Sequence, residues 1–158
     1  MKFPIAPGLG LMVLVAGMTE AGPSLAIPNP ASVFCEEVGG RLIIVREPGG
    51  DVGICRFSDG SIVEEWTLYR AVRSREGGKA LREFVQSTAA PLPGAHATWA
   101  EQRCAGSGGQ AQTWSSVASP GVSVAMCTFD DRTAIGAWTL FGGRGRYPVL
   151  AAVLSRGR

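Results

Sequence analysis

Hydrophobic and polar positions alternate in short blocks, and each block is bounded by residues that interrupt regular structure. Residues 41–46 and 52–57 are rich in β-branched side chains and flank the turn sequence 48–51. Strand-forming blocks on both sides of a Pro-Gly-Gly-Asp turn are typical of a β-hairpin. The sequence therefore predicts a hairpin between residues 41 and 57.

Helix signals flank this hairpin. Asn29 followed by Pro30 is a favourable helix start, and Gly39 with Gly40 predicts the end of that helix. After the hairpin, Ser61 and Glu64 have the spacing of a capping box. Ile62, within this box, and Trp66 and Tyr69, after it, are apolar residues at helical spacing. A helix, a hairpin and a second short helix are therefore predicted for residues 27–71.

The same landmarks recur further along the chain. When residues 29–40 and 55–70 are aligned with 98–109 and 127–142, ten of 28 positions are identical, including both cysteines, the Gly-Gly pair and a Trp. Thr98 and Glu101 predict a capped helix, and residues 111–117 and 122–129 predict a second hairpin. The sequence therefore predicts an α+β protein built as a tandem repeat of a small helix–hairpin–helix unit, each with one disulfide.

These patterns divide the chain. A signal peptide is predicted at residues 1–26, a first unit at 27–71, a helical connector and linker at 72–97, a diverged second unit at 98–142 and a basic tail at 143–158. The signal peptide is predicted from Lys2, the apolar run 3–18 and the small residues before a cut after Ala26. An uncleaved membrane anchor is the alternative. Cys35 follows Phe34, which disfavours lipidation, so a periplasmic or secreted protein is expected.

Composition narrows the class of protein. The 158 residues are 46% hydrophobic and 18% charged, with a net charge of +2. These values exclude a coiled coil, a disordered chain and a multi-span membrane protein, and they give no sign of a nucleic-acid partner. Four cysteines in an exported chain predict two disulfides. The repeat favours the pairs Cys35–Cys55 and Cys104–Cys127, because each unit then holds its own bridge; metal ligation fits the spacing poorly.

One segment resembles a known family. The run 29–35, Gly39-Gly40 and the sequence 53–70, with Asp-Gly-Ser ahead of Glu-Glu-Trp, resembles a family of small bacterial exported domains of unknown function that carries a hemolysin label. The resemblance covers residues 28–70, and residues 98–142 resemble a diverged copy. It implies a disulfide-held envelope protein. It implies no active-site residues.

No catalytic constellation emerges. Glu64 and Glu65 are adjacent and would lie on different faces of a helix, so they cannot converge as a glycosidase pair. Glu64 is interpreted as a cap partner, and His96 as an exposed linker residue. One histidine and no nucleophile motif leave little support for a triad. We therefore expect no enzyme activity, no cofactor and no metal.

The positions of certain residues in the predicted units make them candidates for binding. Trp66 and Trp138 match in the two units and are expected to be core anchors, with Trp99 and Trp114 as candidates for exposed contacts. The hairpin turn offers a loop, and Glu65 a surface charge. The candidate binding residues are thus Glu65, Gly49, Gly50, Trp99 and Trp114.

Charge is unevenly distributed. Residues 27–70 hold four arginines and seven acidic residues, whereas residues 71–158 hold ten basic and five acidic residues. In the tail, an apolar run at 147–154 is bracketed by Arg144, Arg146, Arg156 and Arg158. Such a segment is too short to span a bilayer but is suited to weak contact with an anionic membrane surface. Packing of this segment on the second unit is the alternative that we favour.

Three function classes remain. The favoured hypothesis is an exported, non-enzymatic protein-binding module, inhibitor-like in its use of disulfide-pinned loops. The alternatives are a membrane-active envelope protein that acts through the basic tail and a small hydrolase. The expected partner is another envelope or extracellular protein.

Overall fold

The computed structural model describes residues 28–87 and 97–156, which are called here the first half and the second half. In these two ranges six strands form one closed antiparallel barrel. The strands are β1 (Arg41–Glu47), β2 (Gly50–Arg56), β3 (Ile62–Glu64), β4 (Gln110–Ser116), β5 (Ser123–Thr128) and β6 (Ala134–Gly136). The helices are α1 (Pro30–Glu37), α2 (Glu65–Tyr69), α3 (Gly78–Gln86), α4 (Ala97–Gly106), α5 (Ala137–Arg146) and α6 (Pro148–Arg156), with a π-helical turn at Arg70–Ser74. The predicted signal peptide and His96 lie outside the described residues.

The prediction of two tandem helix–hairpin–helix units is wrong. Both hairpins are present, as β1–β2 and β4–β5. The residues between each hairpin and its closing helix, however, form the short strands β3 and β6 instead of the first turn of a helix. These strands pair with each other, so the two hairpins belong to one sheet. Three-residue strands carry too little periodicity to be distinguished from a helical turn in the sequence.

Two seams close the barrel in the order β1-β2-β3-β6-β5-β4. At one seam Val63 of β3 is opposite Ile135 of β6. At the other, Arg46 of β1 is opposite Ser115 of β4, and the Val117 amide donates to the Ile44 carbonyl at 3.0 Å. Val63 and Ile135 are matched positions when the two halves are aligned, and so are Arg46 and Ser115. Because matched positions face each other at both seams, the barrel has an approximate twofold axis.

The strands separate two cores. Inside the barrel, five buried side chains from five strands pack together: Val45, Ile54, Trp114, Met126 and Ala134. On the outer face, Cys55, Val63, Cys127 and Ile135 pack beneath the helices with the aromatic and aliphatic residues of α1, α3 and α6. Adjacent strand residues point to opposite faces, so Ile54 and Cys55 lie in different cores.

Two disulfides join a helix to a strand in each half. Cys35 of α1 bonds Cys55 of β2, and Cys104 of α4 bonds Cys127 of β5, which is the predicted pairing. The second glycine of each Gly-Gly pair makes room for the bridge, since a Cβ at Gly40 or Gly109 would overlap the sulfur of Cys55 or Cys127. The recurrence of Gly-Gly thus has a packing reason as well as a helix-ending one.

Helix starts differ from the predictions in two cases. Asn29 caps α1 as predicted, with its Oδ1 accepting from the Ala31 amide at 3.0 Å. The predicted capping box of Ser61 and Glu64 is wrong, because Glu64 is itself the N-cap of α2. The capping box at Thr98 is also wrong, because α4 already includes Ala97.

Each half caps a helix of the other half. Asp131, in the second half, accepts from the Lys79 amide at the start of α3 at 2.6 Å. Asp59, in the first half, accepts from the Val149 amide at the start of α6 at 2.9 Å. Similarly, the Thr139 hydroxyl accepts from the Ile62 amide and the Thr67 hydroxyl accepts from the Ala134 amide. The two halves therefore exchange hydrogen bonds reciprocally and depend on each other for helix capping.

Removal of one bridge should destabilise the whole protein. The C104S/C127S double variant opens a loop of sequence separation 23, and the chain-entropy model gives a loss of about 3 kcal/mol in the free energy of unfolding. Urea denaturation measures this loss. The C35S/C55S pair, of separation 20, is the matched control and should lose a similar amount in a single cooperative transition; two separate transitions would contradict the single barrel.

Candidate functional site

A cleft of about 1110 Å³ lies where the two halves meet, between the π-helical turn, α3, the β5–β6 turn and the end of α6. Four arginines line it, and we call it the arginine cleft: Arg70, Arg75, Arg82 and Arg132. Aliphatic side chains also line it, namely Ala71, Leu81, Val85 and Leu154. The site thus combines positive charge with apolar surface.

Its carboxylates do not neutralise the arginines. In residues 28–87 and 97–156, Arg75, Arg82 and Arg132 form no ion pair. Asp131 is occupied instead by the Lys79 amide and by the amide and hydroxyl of Thr133. Glu76 is the other acidic residue of the lining. The cleft therefore holds an excess of positive charge.

The pKa of Asp131 reflects this arrangement. Desolvation raises it, but the hydrogen bonds from Thr133 and the Lys79 amide, together with the charge of Arg82, hold the pKa below its usual value. Asp131 is therefore a fixed anion at neutral pH, and it anchors the N-terminus of α3 beside the cleft.

Two of the cleft arginines have left-handed backbone conformations. Arg75 has φ 58° and Arg132 has φ 62°, and in the described ranges they are the residues other than glycine with positive φ. An L residue in this region costs about 1–2 kcal/mol. Strain of this kind is retained only where the surroundings fix it, and it often occurs at binding sites.

The approximate twofold axis provides an internal comparison. Gly60 (φ 85°) occupies the position that matches Arg132, as the middle residue of the other capping turn. Gly142 follows Trp138 at the same distance along the chain as Arg70 follows Trp66, so these two positions match. Ala152 follows Val149, the capped residue of α6, as Arg82 follows Lys79, the capped residue of α3, so these positions match as well. Uncharged residues therefore serve the same fold at all three positions, so the barrel itself does not require these arginines.

Sequence reasoning missed this site. The excess of basic residues after residue 70 was a signal, but the sequence could not place arginines from the π-helical turn, α3 and the β5–β6 turn in one cleft. Those elements meet only because the barrel joins the two halves.

Glu65, predicted as a surface charge, is 4% exposed. Its carboxylate accepts from the Asn29 side-chain amide at 2.8 Å and from the Ser32 hydroxyl at 2.5 Å, so it fixes the start of α1 to α2. A Cβ at Gly53 would overlap this carboxylate. In the second half Ala125 matches Gly53 and Ala137 matches Glu65. The small side chain of Ala137 leaves room for the Cβ of Ala125. Glu65 is a structural residue and not a surface contact.

The tryptophans are also placed differently from the predictions. Trp114, a candidate for exposed contacts, is 2% exposed inside the barrel, and its indole N–H donates to Gln112 Oε1 at 3.0 Å. Trp66, expected in the core, is 38% exposed, and Trp138 is half-buried. Trp99 is half-buried and stacks on Phe141 with the ring centroids 6.3 Å apart. Pattern alone did not separate inward from outward positions.

The remaining candidates lie apart from the arginine cleft. Gly49 and Gly50 are exposed in the β1–β2 turn. In the predicted tail, Arg144, Arg146 and Arg156 are exposed, while Leu150 and Val153 of α6 are buried in the outer core. Arg158 lies outside the described residues. The described part of the tail thus packs by its apolar face, and Arg144, Arg146 and Arg156 are in solvent.

A smaller cleft of about 390 Å³ contains Glu64, Trp66 and Trp114. Burial raises the pKa of the Glu64 carboxyl, while hydrogen bonds from Thr67 and the Trp66 amide oppose this effect. Its oxygens accept from both amides and from the Thr67 hydroxyl. Glu64 therefore serves to start α2.

The described residues offer neither a metal cluster nor a membrane-spanning helix. Within residues 28–87 and 97–156, no group of three or more His, Cys, Asp or Glu residues is placed to hold a metal ion. Among the helices of the same ranges, none has the length and apolar character needed to cross a bilayer.

These features define a disulfide-bonded barrel protein with an arginine-lined cleft. Residues 26–72 match the family described as domain of unknown function (DUF333). An uncharacterized protein of Archaeoglobus fulgidus is 41% identical over 51 residues, which are 32% of this chain and 24% of that protein. YoaF of Escherichia coli (strain K12), also uncharacterized, is 40% identical over 48 residues, which are 30% of this chain and 57% of YoaF. No solved structure matches.

The contact between Gly53 and Glu65 should couple the two positions. Gly53→Ala overpacks the buried carboxylate and should lower the free energy of unfolding by about 1–3 kcal/mol. In the Glu65→Ala background the same change should cost less by about 1 kcal/mol, because the Cβ then has room. A double-mutant cycle in urea measures the coupling. Additive effects would show that the overlap does not determine the choice of glycine.

Relief of backbone strain at Arg132 should stabilise the fold. In the Arg132→Gly variant the left-handed strain of about 1–2 kcal/mol is removed, at a cost of about 0.5–1 kcal/mol in chain entropy. The free energy of unfolding should therefore rise by up to about 1.5 kcal/mol. Arg132→Ala is the control, because it removes the guanidinium but keeps the strain. Equal stabilities of the two variants would contradict this account.

Proposed function

We propose that this protein is an exported, non-enzymatic module that binds another protein in the arginine cleft. The observation that carries the proposal is the set of arginines beside aliphatic surface, two of them held in strained conformations. Within residues 28–87 and 97–156, none of Arg75, Arg82 and Arg132 forms an ion pair. Strained charged residues in a concave site are expensive for a fold to keep. A binding role gives a reason to keep them.

The chemistry of the cleft favours binding over catalysis. A guanidinium stays protonated at every physiological pH, so it recognises anions but does not transfer protons. The oxygens of Asp131 already accept three hydrogen bonds from the protein. These features favour the binding module over the hydrolase alternative.

Export is proposed from the predicted signal peptide and supported by the disulfides. Both bridges are buried and join helix to strand, and such structural bridges persist in oxidising compartments. The matched family is described as having unknown function, so the hemolysin label adds no support. Membrane activity through the tail would require α6 to release Leu150 and Val153 from the core, and the protein-binding role requires no such step.

We further propose that residues 98–142 are a diverged second copy of the DUF333 domain. Both halves have the order helix, three strands, helix, and their disulfides occupy matched positions. The reciprocal caps by Asp59 and Asp131 support the same proposal. In this interpretation the two copies fused their sheets into one barrel, and the cleft then evolved on one side of it.

Site-specific photocrosslinking tests the binding role. A photoreactive amino acid at Gln86, which lines the cleft, should crosslink a discrete partner in the exported protein fraction of the native host. The same group at exposed Ser123, outside the lining, is the matched control and should not. Adding Arg82→Ala should lower the Gln86 yield about tenfold, because a charge-assisted contact contributes about 1.5–3 kcal/mol. Equal yields from Gln86 and Ser123 would refute the proposed site.

A further inference from the structure

We infer that the arginine cleft binds an extended acidic peptide segment whose aliphatic side chains contact the cleft wall; this inference rests on the proposed binding function. The evidence is the juxtaposition of Arg82 and Arg132 with Leu81, Val85 and Leu154 in one concave site. Each feature selects for a different part of such a ligand.

The arginines select for carboxylates. A guanidinium presents five donors in a planar fork that matches a carboxylate. In the described ranges Arg75, Arg82 and Arg132 form no ion pair, although Arg82 is near enough to Asp131 for its charge to lower the pKa of that carboxyl. The three arginines lie on three separate segments: Arg75 directly follows the π-helical turn, Arg82 is on α3 and Arg132 is in the β5–β6 turn. Positive charge spread over three elements fits several carboxylates along an extended chain better than one compact anion.

The aliphatic lining selects for apolar side chains between those carboxylates. Val85 of α3 and Leu154 of α6 are partly exposed at the cleft, whereas Leu81, one turn before Val85, is 3% exposed and belongs to the outer core beneath them. Partly exposed aliphatic groups in a concave site gain free energy when a ligand removes them from water. A charged ligand without apolar side chains would leave that aliphatic surface exposed to water.

The acidic residues of the lining favour a peptide over a membrane surface. Glu76 and Asp131 lie among the arginines. Carboxylates at these positions repel the anionic groups of a lipid surface and of an acidic peptide alike, but a peptide backbone also brings N–H groups for which Glu76 offers an acceptor. The concave shape also fits a single segment of chain better than a flat bilayer.

The approximate symmetry identifies which arginines matter and supplies the variants. Because Ala152 and Gly60 occupy the positions that match Arg82 and Arg132, Arg82→Ala and Arg132→Gly each introduce a residue that the same fold already uses. Thr128 matches Arg56, an exposed residue of β2 outside the cleft. Arg56→Thr is therefore the matched control, because it removes one positive charge outside the cleft and introduces the residue found at the matched position of the other half.

Fluorescence anisotropy with the intact, oxidised protein tests the inference. The probe is a labelled ten-residue peptide of alternating Glu and Leu, compared with Glu/Ser and Lys/Leu peptides of equal length. We expect the Glu/Leu peptide to bind, more weakly at high salt, and to lose at least about tenfold in affinity with Arg82→Ala or Arg132→Gly. Arg56→Thr should keep the affinity within about twofold of the unchanged protein.

Several results would overturn the inference. Unchanged affinity in both cleft variants, equal binding of the Glu/Ser peptide, or cleft-dependent binding to vesicles of anionic phosphatidylglycerol without peptide binding would each do so. Denaturation curves of the variants exclude misfolding as a cause, and Arg132→Gly should be at least as stable as the parent. A crosslinked partner at Gln86 with no acidic peptide binding would refute this ligand class and leave the binding function standing. Peptide binding in the cleft with no crosslinked partner at Gln86 would support this ligand class and contradict the prediction that a partner is present in the exported fraction.

Discussion

The structure depends on the pairing of four strand edges. Each half supplies a three-stranded sheet whose outer strands, β1 and β3 or β4 and β6, would expose unpaired amide and carbonyl groups. Open edges of this kind are a liability in water, and full closure removes them. The seams at Val63 with Ile135 and at Arg46 with Ser115 pair the four edges at once. Closure also creates the inner core, because Val45 and Trp114 come from different halves.

The same closure organises the polar interactions outside the barrel. Asp59 and Asp131 cap helices of the opposite halves, so α3 and α6 are each held by the half to which they do not belong. Within the first half, Glu65 buries a carboxylate against Gly53 and satisfies it with Asn29 and Ser32. A buried carboxylate is tolerated only when its oxygens have partners. The second half has alanine at the matched position and needs none.

Charge breaks the symmetry that the backbone keeps. The arginine cleft, where the turn that contains Asp131 caps α3, is lined by Arg70, Arg82 and Arg132. The matched positions hold Gly142, Ala152 and Gly60. Both sets of residues satisfy one fold, so the fold alone does not require the three arginines. The candidate site therefore lies on one side of the molecule, where Arg132 is left-handed at the position that glycine occupies in the matched turn.

The sequence by itself determined the local structure: the Asn29 cap, both hairpins, the connecting helix and the pairing of the four cysteines, because each follows from neighbouring residues or from matched landmarks. It did not determine the barrel, the burial of Glu65 and Trp114, or the arginine cleft. Those features depend on strands of three residues, too short to carry a period, and on contacts between halves more than 50 residues apart. Only the tertiary structure decides which side of each element meets the other half, because that choice is fixed by edge pairing across the barrel and not by any local pattern.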